Sequence, residues 1–88
     1  MKYTVIYRMS TSVYISTFSK SDLLESLNGE NAIFEKMRIL EEFPISFQSS
    51  YGGEVNQHWP ENSLLILKQD SIVVPRITKK LVYYTLED

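Results

Sequence analysis

Residues 2–19 read KYTVIYRMSTSVYISTFS, and their periodicity sets the fold class. Tyr3, Val5, Tyr7 and Met9 fall on one face and Lys2, Thr4, Ile6 and Arg8 on the other, the period-two alternation of a half-buried strand. Residues 13–18 are rich in β-branched and aromatic side chains, which predicts a second strand. A hairpin through residues 9–12 joins the two, although that connection lacks the Gly or Asn that most easily supplies a tight hairpin turn.

Helical signals follow the hairpin. Ser19 with Asp22 three residues on, or Ser21 alone, can cap the first exposed amides, and Leu23, Leu24 and Leu27 share one helical face. Asn28 and Gly29 stop this short helix, because glycine adopts the left-handed C-terminal geometry most easily. A longer helix is predicted over about residues 30–42, with an apolar stripe at Ile33, Phe34, Met37 and Leu40 and outward charges at Glu35, Arg38, Glu41 and Glu42. Pro44 ends it, since the residue before a proline is pushed out of helical geometry.

Beyond Pro44, Ile45, Phe47 and Tyr51 alternate with Ser46, Gln48 and Ser50, which predicts a strand. Residues 64–67, LLIL, are apolar on both faces and read as a central strand. Gln69, Asp70 and Ser71 turn the chain into a short strand at 72–74, which Pro75 ends or confines to an edge, and residues 81–86 give the last strand. The expected fold is therefore a single α+β domain over residues 1–88, in the order ββααββββ. Its mostly antiparallel sheet of about five to six strands carries two helices on one face.

Composition narrows the function. A chain of 88 residues suits one core, and 43% hydrophobic residues with 23% charged ones describe a sequence that folds. The net charge of -2 specifies neither nucleic acid nor an anionic membrane as partner. No cysteine means no disulfide and no thiolate zinc site, which favours a cytoplasmic location. The N-terminal residues alternate where an export signal would be continuously apolar, and no run approaches a membrane span, so no membrane partner is expected.

Three features are candidates for function. The connection at 52–63, GGEVNQHWPENS, holds the sole tryptophan, the sole histidine and one of three prolines. His58 and Trp59, with Tyr51 before them, would make an aromatic recognition loop; the alternative is that Trp59 folds back onto the sheet as core. The second feature is the six tyrosines, of which Tyr83 and Tyr84 are adjacent in a strand and so point opposite ways, leaving at least one off the helix-covered face. The third is RITKKLVYY at 76–84, where Arg76, Lys79 and Lys80 precede two tyrosines as they would on a phosphate- or base-binding strand, although paired lysines also guard sheet edges.

Chemistry is hard to build here. Catalysis would rest on His58 alone, in a loop, and one histidine without cysteine makes no recognisable metal site. No enzyme activity, cofactor or metal is expected. The sequence reading is thus a non-catalytic protein-binding domain, such as an inhibitor, an antidote, a phage-type anti-defence protein or a subunit of a larger assembly, using Tyr51, His58, Trp59, Tyr83 and Tyr84. The alternative is a nucleic-acid or phosphate-ligand module using Arg76, Lys79 and Lys80. A homodimer through a free strand edge near residues 72–74 stays open.

Overall fold

The computed structural model describes residues 2–28, 33–44, 59–69, 73–80 and 83–87. Strands β1 (Lys2–Met9) and β2 (Ser12–Ser19) pair antiparallel in full register, from Lys2 opposite Ser19 to Met9 opposite Ser12. The two-residue turn between them is made without glycine. Ser10 takes the positive φ of 58° that a tight hairpin requires at its first central position, and the Arg8 guanidinium donates to the Ser10 carbonyl at 2.9 Å.

Helix α1 (Lys20–Asn28) starts where the sequence predicts, with the Ser19 hydroxyl accepting the Asp22 amide at 3.2 Å as an N-cap. It buries Leu23 and Leu27. The remaining strands are β3 (Arg38–Ile39), β4 (Ser63–Lys68), β5 (Arg76–Lys80) and β6 (Tyr83–Glu87). A four-stranded sheet has the order β2-β1-β4-β3, antiparallel except for β3 against β4, and β5 and β6 form a separate antiparallel pair.

Register divides the core into two layers. Tyr3 and Val5 stand beside Ile66 and Leu64 on one face of the sheet, where Leu23, Leu27, Phe34, Met37 and Leu86 cover them. Ile6 stands beside Leu65 and Leu67 on the other face, covered by Trp59 with Leu40, Phe43 and Val74. Strand β4 is buried on both faces, as its unbroken apolar sequence predicts. Each fully buried Leu or Ile there contributes roughly 1.5–3 kcal/mol, so β4 is the axis of the fold.

The second predicted helix does not form, and the described residues contain one helix rather than two. Residues 33–37 make a turn, with the Met37 amide on the Phe34 carbonyl at 3.1 Å, and the chain then enters the sheet as β3. Two demands override the helical stripe. The backbone of β4 needs a partner on the side away from β1, and the Arg38 and Leu40 amides supply it by donating to Asn62 (3.0 Å) and Leu64 (2.7 Å). Ile39 and Leu40 also pack on opposite faces of the sheet, Ile39 with the α1 layer and Leu40 with the Trp59 layer. Consecutive residues reach opposite faces in a strand and not in a helix. Ile33, assigned to the buried stripe, is half exposed.

The element order among described residues is therefore ββαββββ. The predicted strand at 72–74 is also absent where described: Val73 and Val74 are irregular, and β5 begins only after Pro75. The predicted strand at 45–51 lies outside the described residues. No helix among the described residues is long and apolar enough to cross a membrane.

Candidate functional site

Trp59 is fully buried. Its indole Nε1–H donates to the Ser63 carbonyl at 3.3 Å, and its own carbonyl accepts the Arg8 guanidinium at 2.7 Å. The turn that follows is tied down as firmly. The Ser63 hydroxyl donates to the Pro60 carbonyl at 2.5 Å, and Asn62, at a φ of 57°, donates its side-chain amide to the Lys36 carbonyl at 3.3 Å. Asparagine tolerates that left-handed geometry better than most residues. Of the two readings open for Trp59, the structure has the folded-back one. The ring covers Ile6, Leu65 and Leu67 and is not on the surface to anchor a partner. Tyr51 and His58 lie outside the described residues.

The described tyrosines do not form one exposed face. Tyr3 is fully buried and Tyr7 half-buried, as β1 alternation predicts. Tyr7 packs edge-on to Phe34 with 4.9 Å between ring centroids, and Tyr14 stacks on Tyr7 at 5.3 Å. Phe18 meets the other side of Phe34 at 5.7 Å, so these rings close the α1 layer. Tyr83 is exposed and Tyr84 half-buried, on opposite faces of β6 as their adjacency requires.

The basic residues of β5 also divide. Alternation puts Ile77 and Lys79 on the side of Leu86 and Tyr84, and Arg76 and Thr78 on the other. The Lys79 ammonium sits 5.2 Å from the Tyr84 ring centroid, and Arg76 reaches Glu87 across the strand pair at 3.7 Å with both side chains well exposed. An ion pair in that much water contributes little stability. Arg76 and Lys79 thus lie on opposite strand faces.

A feature that sequence reasoning missed lies beside them. A groove of about 560 Å³ runs between residues 37–41 and β5, with Ile39 and Ile77 among its apolar lining and Arg38, Arg76 and Lys79 among its cations. Glu41 is the single acidic residue among its described lining residues. A second hollow of about 390 Å³ continues from the same 38–41 segment towards Phe43, Pro44 and Pro60.

The hydrogen bonds fix which backbone groups face away from the sheets. Because the Arg38 and Leu40 amides both point at β4, the amide and carbonyl of Ile39 between them point away from it. On β6 the Tyr84 amide donates to the Asn28 side-chain oxygen at 2.6 Å, and the Tyr84 carbonyl accepts the Asn28 side-chain amide at 2.9 Å. Asn28 therefore occupies the outer edge of β6, in the manner of a neighbouring strand. Tyr84 pairs in register with Lys79, so Lys79, and with it Ile77, turns its own amide and carbonyl away from β6. The Thr78 carbonyl points inward by the same rule, and it accepts the Thr85 hydroxyl at 3.2 Å. Ile39, Ile77 and Lys79 all line the groove. The prediction of a helix through 38–41 hid it; the consecutive apolar pair Ile39–Leu40 was the available signal.

Among the described residues no group of three or more His, Cys, Asp and Glu side chains is placed to hold a metal ion. No protein-family model, curated protein or solved structure matches the chain.

Proposed function

We propose that this chain is a non-catalytic protein-binding domain and that its partner docks at the groove between residues 37–41 and β5. The observation that carries this reading is the lining. Strand-edge backbone from Ile39, Ile77 and Lys79 combines there with apolar side chains and three cations. Such a lining offers a polypeptide main-chain pairing, apolar contact and charge together. The half-buried ring of Tyr84 contributes to the wall, whereas the exposed ring of Tyr83 lies on the other face of β6. An inhibitor, an antidote, an anti-defence factor or an assembly subunit could each use such a surface.

Affinity capture from a native lysate tests the reading, with wild type compared against the double variant Arg38→Glu, Lys79→Glu. Both side chains are exposed, so the variant keeps its fold, which circular dichroism checks. A protein retained by wild type and lost by the variant is the expected result. Recovery of nucleic acid instead, with binding that falls steeply as salt rises, would favour a phosphate-binding role for Arg76, Lys79 and Lys80. A protein captured equally by both chains would move the docking site elsewhere.

A further inference from the structure

We infer that the groove recognises an extended, acidic segment of a partner protein, which adds to the outer edge of β5 as a further strand. The inference rests on the protein-binding reading above and specifies its chemistry. A strand edge offers one residue in two to an incoming chain, and on β5 those residues are Ile77 and Lys79. The facing wall is also a strand edge, where Ile39 offers its amide and carbonyl. An extended segment lying between them meets main-chain donors and acceptors on both sides, which a helix, with its backbone bonded internally, has no use for.

The remaining edges of the described sheets differ in kind. At the outer edge of β6 the Tyr84 amide and carbonyl are taken by Asn28. The outer edge of β2 runs along eight residues with no groove in front of it among the hollows described. Among the described residues, the walls formed by β3 and β5 enclose space for a chain.

Charge selects the segment. Among the described lining residues, Arg38, Arg76 and Lys79 stand against Glu41, an excess of two positive charges in a chain whose net charge is -2. Arg76 is engaged by Glu87, whereas Arg38 has no ion-pair partner among the described residues. Ile39 and Ile77 give the apolar contact. The complementary sequence alternates apolar and acidic residues, since a strand sends successive side chains to opposite faces.

The probe is an eight-residue peptide of alternating valine and glutamate with blocked termini. Its controls are the lysine counterpart of the same peptide and two backbone-methylated forms, one N-methylated at every valine and one at every glutamate. Two-dimensional amide NMR of the full chain is expected to show saturable shifts centred on Ile39, Ile77 and Lys79. At least one methylated form should bind about tenfold more weakly, because methylation removes the donors along one peptide edge. The lysine peptide and the Arg38→Glu, Lys79→Glu variant should show the same loss.

Binding of both methylated forms as tight as that of the unmodified peptide would overturn strand addition. So would shifts confined to other residues, preference for a ten-nucleotide thymidine strand over the peptide, or a dimer by light scattering whose Ile77 and Lys79 amides are protected in hydrogen exchange. Failure of the peptide while lysate capture still depends on Arg38 and Lys79 removes this inference and leaves the protein-binding reading. Failure of both experiments removes both.

Discussion

Replacing Trp59 by alanine is expected to cost about 4 kcal/mol of stability, and the structure supplies the reasoning. The indole is fully buried against Ile6, Leu65 and Leu67. A tryptophan side chain buries on the order of 200 Å², which at about 25 cal/mol per Å² amounts to roughly 5 kcal/mol. Alanine recovers a small part of that, and the more compact real unfolded chain lowers it further, which leaves a value inside the roughly 3–5 kcal/mol range for such truncations. Trp59→Phe separates area from polarity. Phenylalanine keeps most of the apolar contact and loses the Nε1–H bond to the Ser63 carbonyl, for a cost of about 1–2 kcal/mol. Urea unfolding followed by far-ultraviolet circular dichroism measures both variants without depending on the fluorophore that is removed. The slope against urea should stay constant while the midpoint falls. Domains of this size hold only about 5–15 kcal/mol in total, so the alanine variant should be near the edge of folding at room temperature. An alanine cost under about 1 kcal/mol would refute the reasoning, because no fully buried indole is released so cheaply. In the wild type, acrylamide should quench tryptophan emission poorly, as an indole closed off from solvent requires.

Asn28→Ala should destabilise by about 1–2 kcal/mol, since it removes two hydrogen bonds to the Tyr84 backbone; native-state hydrogen exchange should quicken first at the Tyr84 amide. Asn28→Asp keeps the acceptor for the Tyr84 amide and loses the donor to its carbonyl, so it should fall between alanine and wild type in the same urea assay. Ser10→Gly should raise stability by on the order of 0.5 kcal/mol, the relief of a left-handed φ of 58° being partly offset by the freer unfolded chain. A thermal midpoint that falls in Ser10→Gly would show that the serine side chain, and not its backbone angle, matters at that turn.

The legible part of the fold is the part in which local pattern and tertiary demand agree. β1 alternates because one of its faces meets the α1 layer and the other meets Trp59 at Ile6. β4 is uniformly apolar because it is covered on both faces, and α1 begins at Ser19 because the hydroxyl caps it. Residues 33–42 were illegible for a definite reason. Phe34, Met37 and Leu40 fit a helical stripe and equally fit a turn followed by a strand, and only the unfilled backbone edge of β4 decides between them. That edge is a property of the assembled sheet and is written in no local window. The candidate site inherited the same blindness. Trp59 drew attention by its rarity and turned out to be core, while the groove residues Arg38 and Ile39 were absorbed into the expected helix.

The way this molecule treats its strand edges gives the groove its meaning. An open edge is a hazard, because any extended chain can pair with it, and folds close edges or guard them. β6 is closed at Tyr84 by the Asn28 side chain, which uses the Tyr84 amide and carbonyl and leaves that residue nothing to offer. β5 carries lysine at Lys79 and is preceded by the buried Pro75, both devices that discourage uncontrolled sheet growth. A guard made of lysine is selective. It repels a basic or neutral apolar strand through desolvation and charge, and it attracts an acidic one, so the feature that protects β5 from its own kind also sets the sign of the segment proposed for it. Reversing that sign at Lys79 and Arg38 should therefore do more than weaken an acidic peptide. It should allow the lysine-valine peptide, rejected by the wild type, to bind in its place, and only an edge read through charge predicts that exchange.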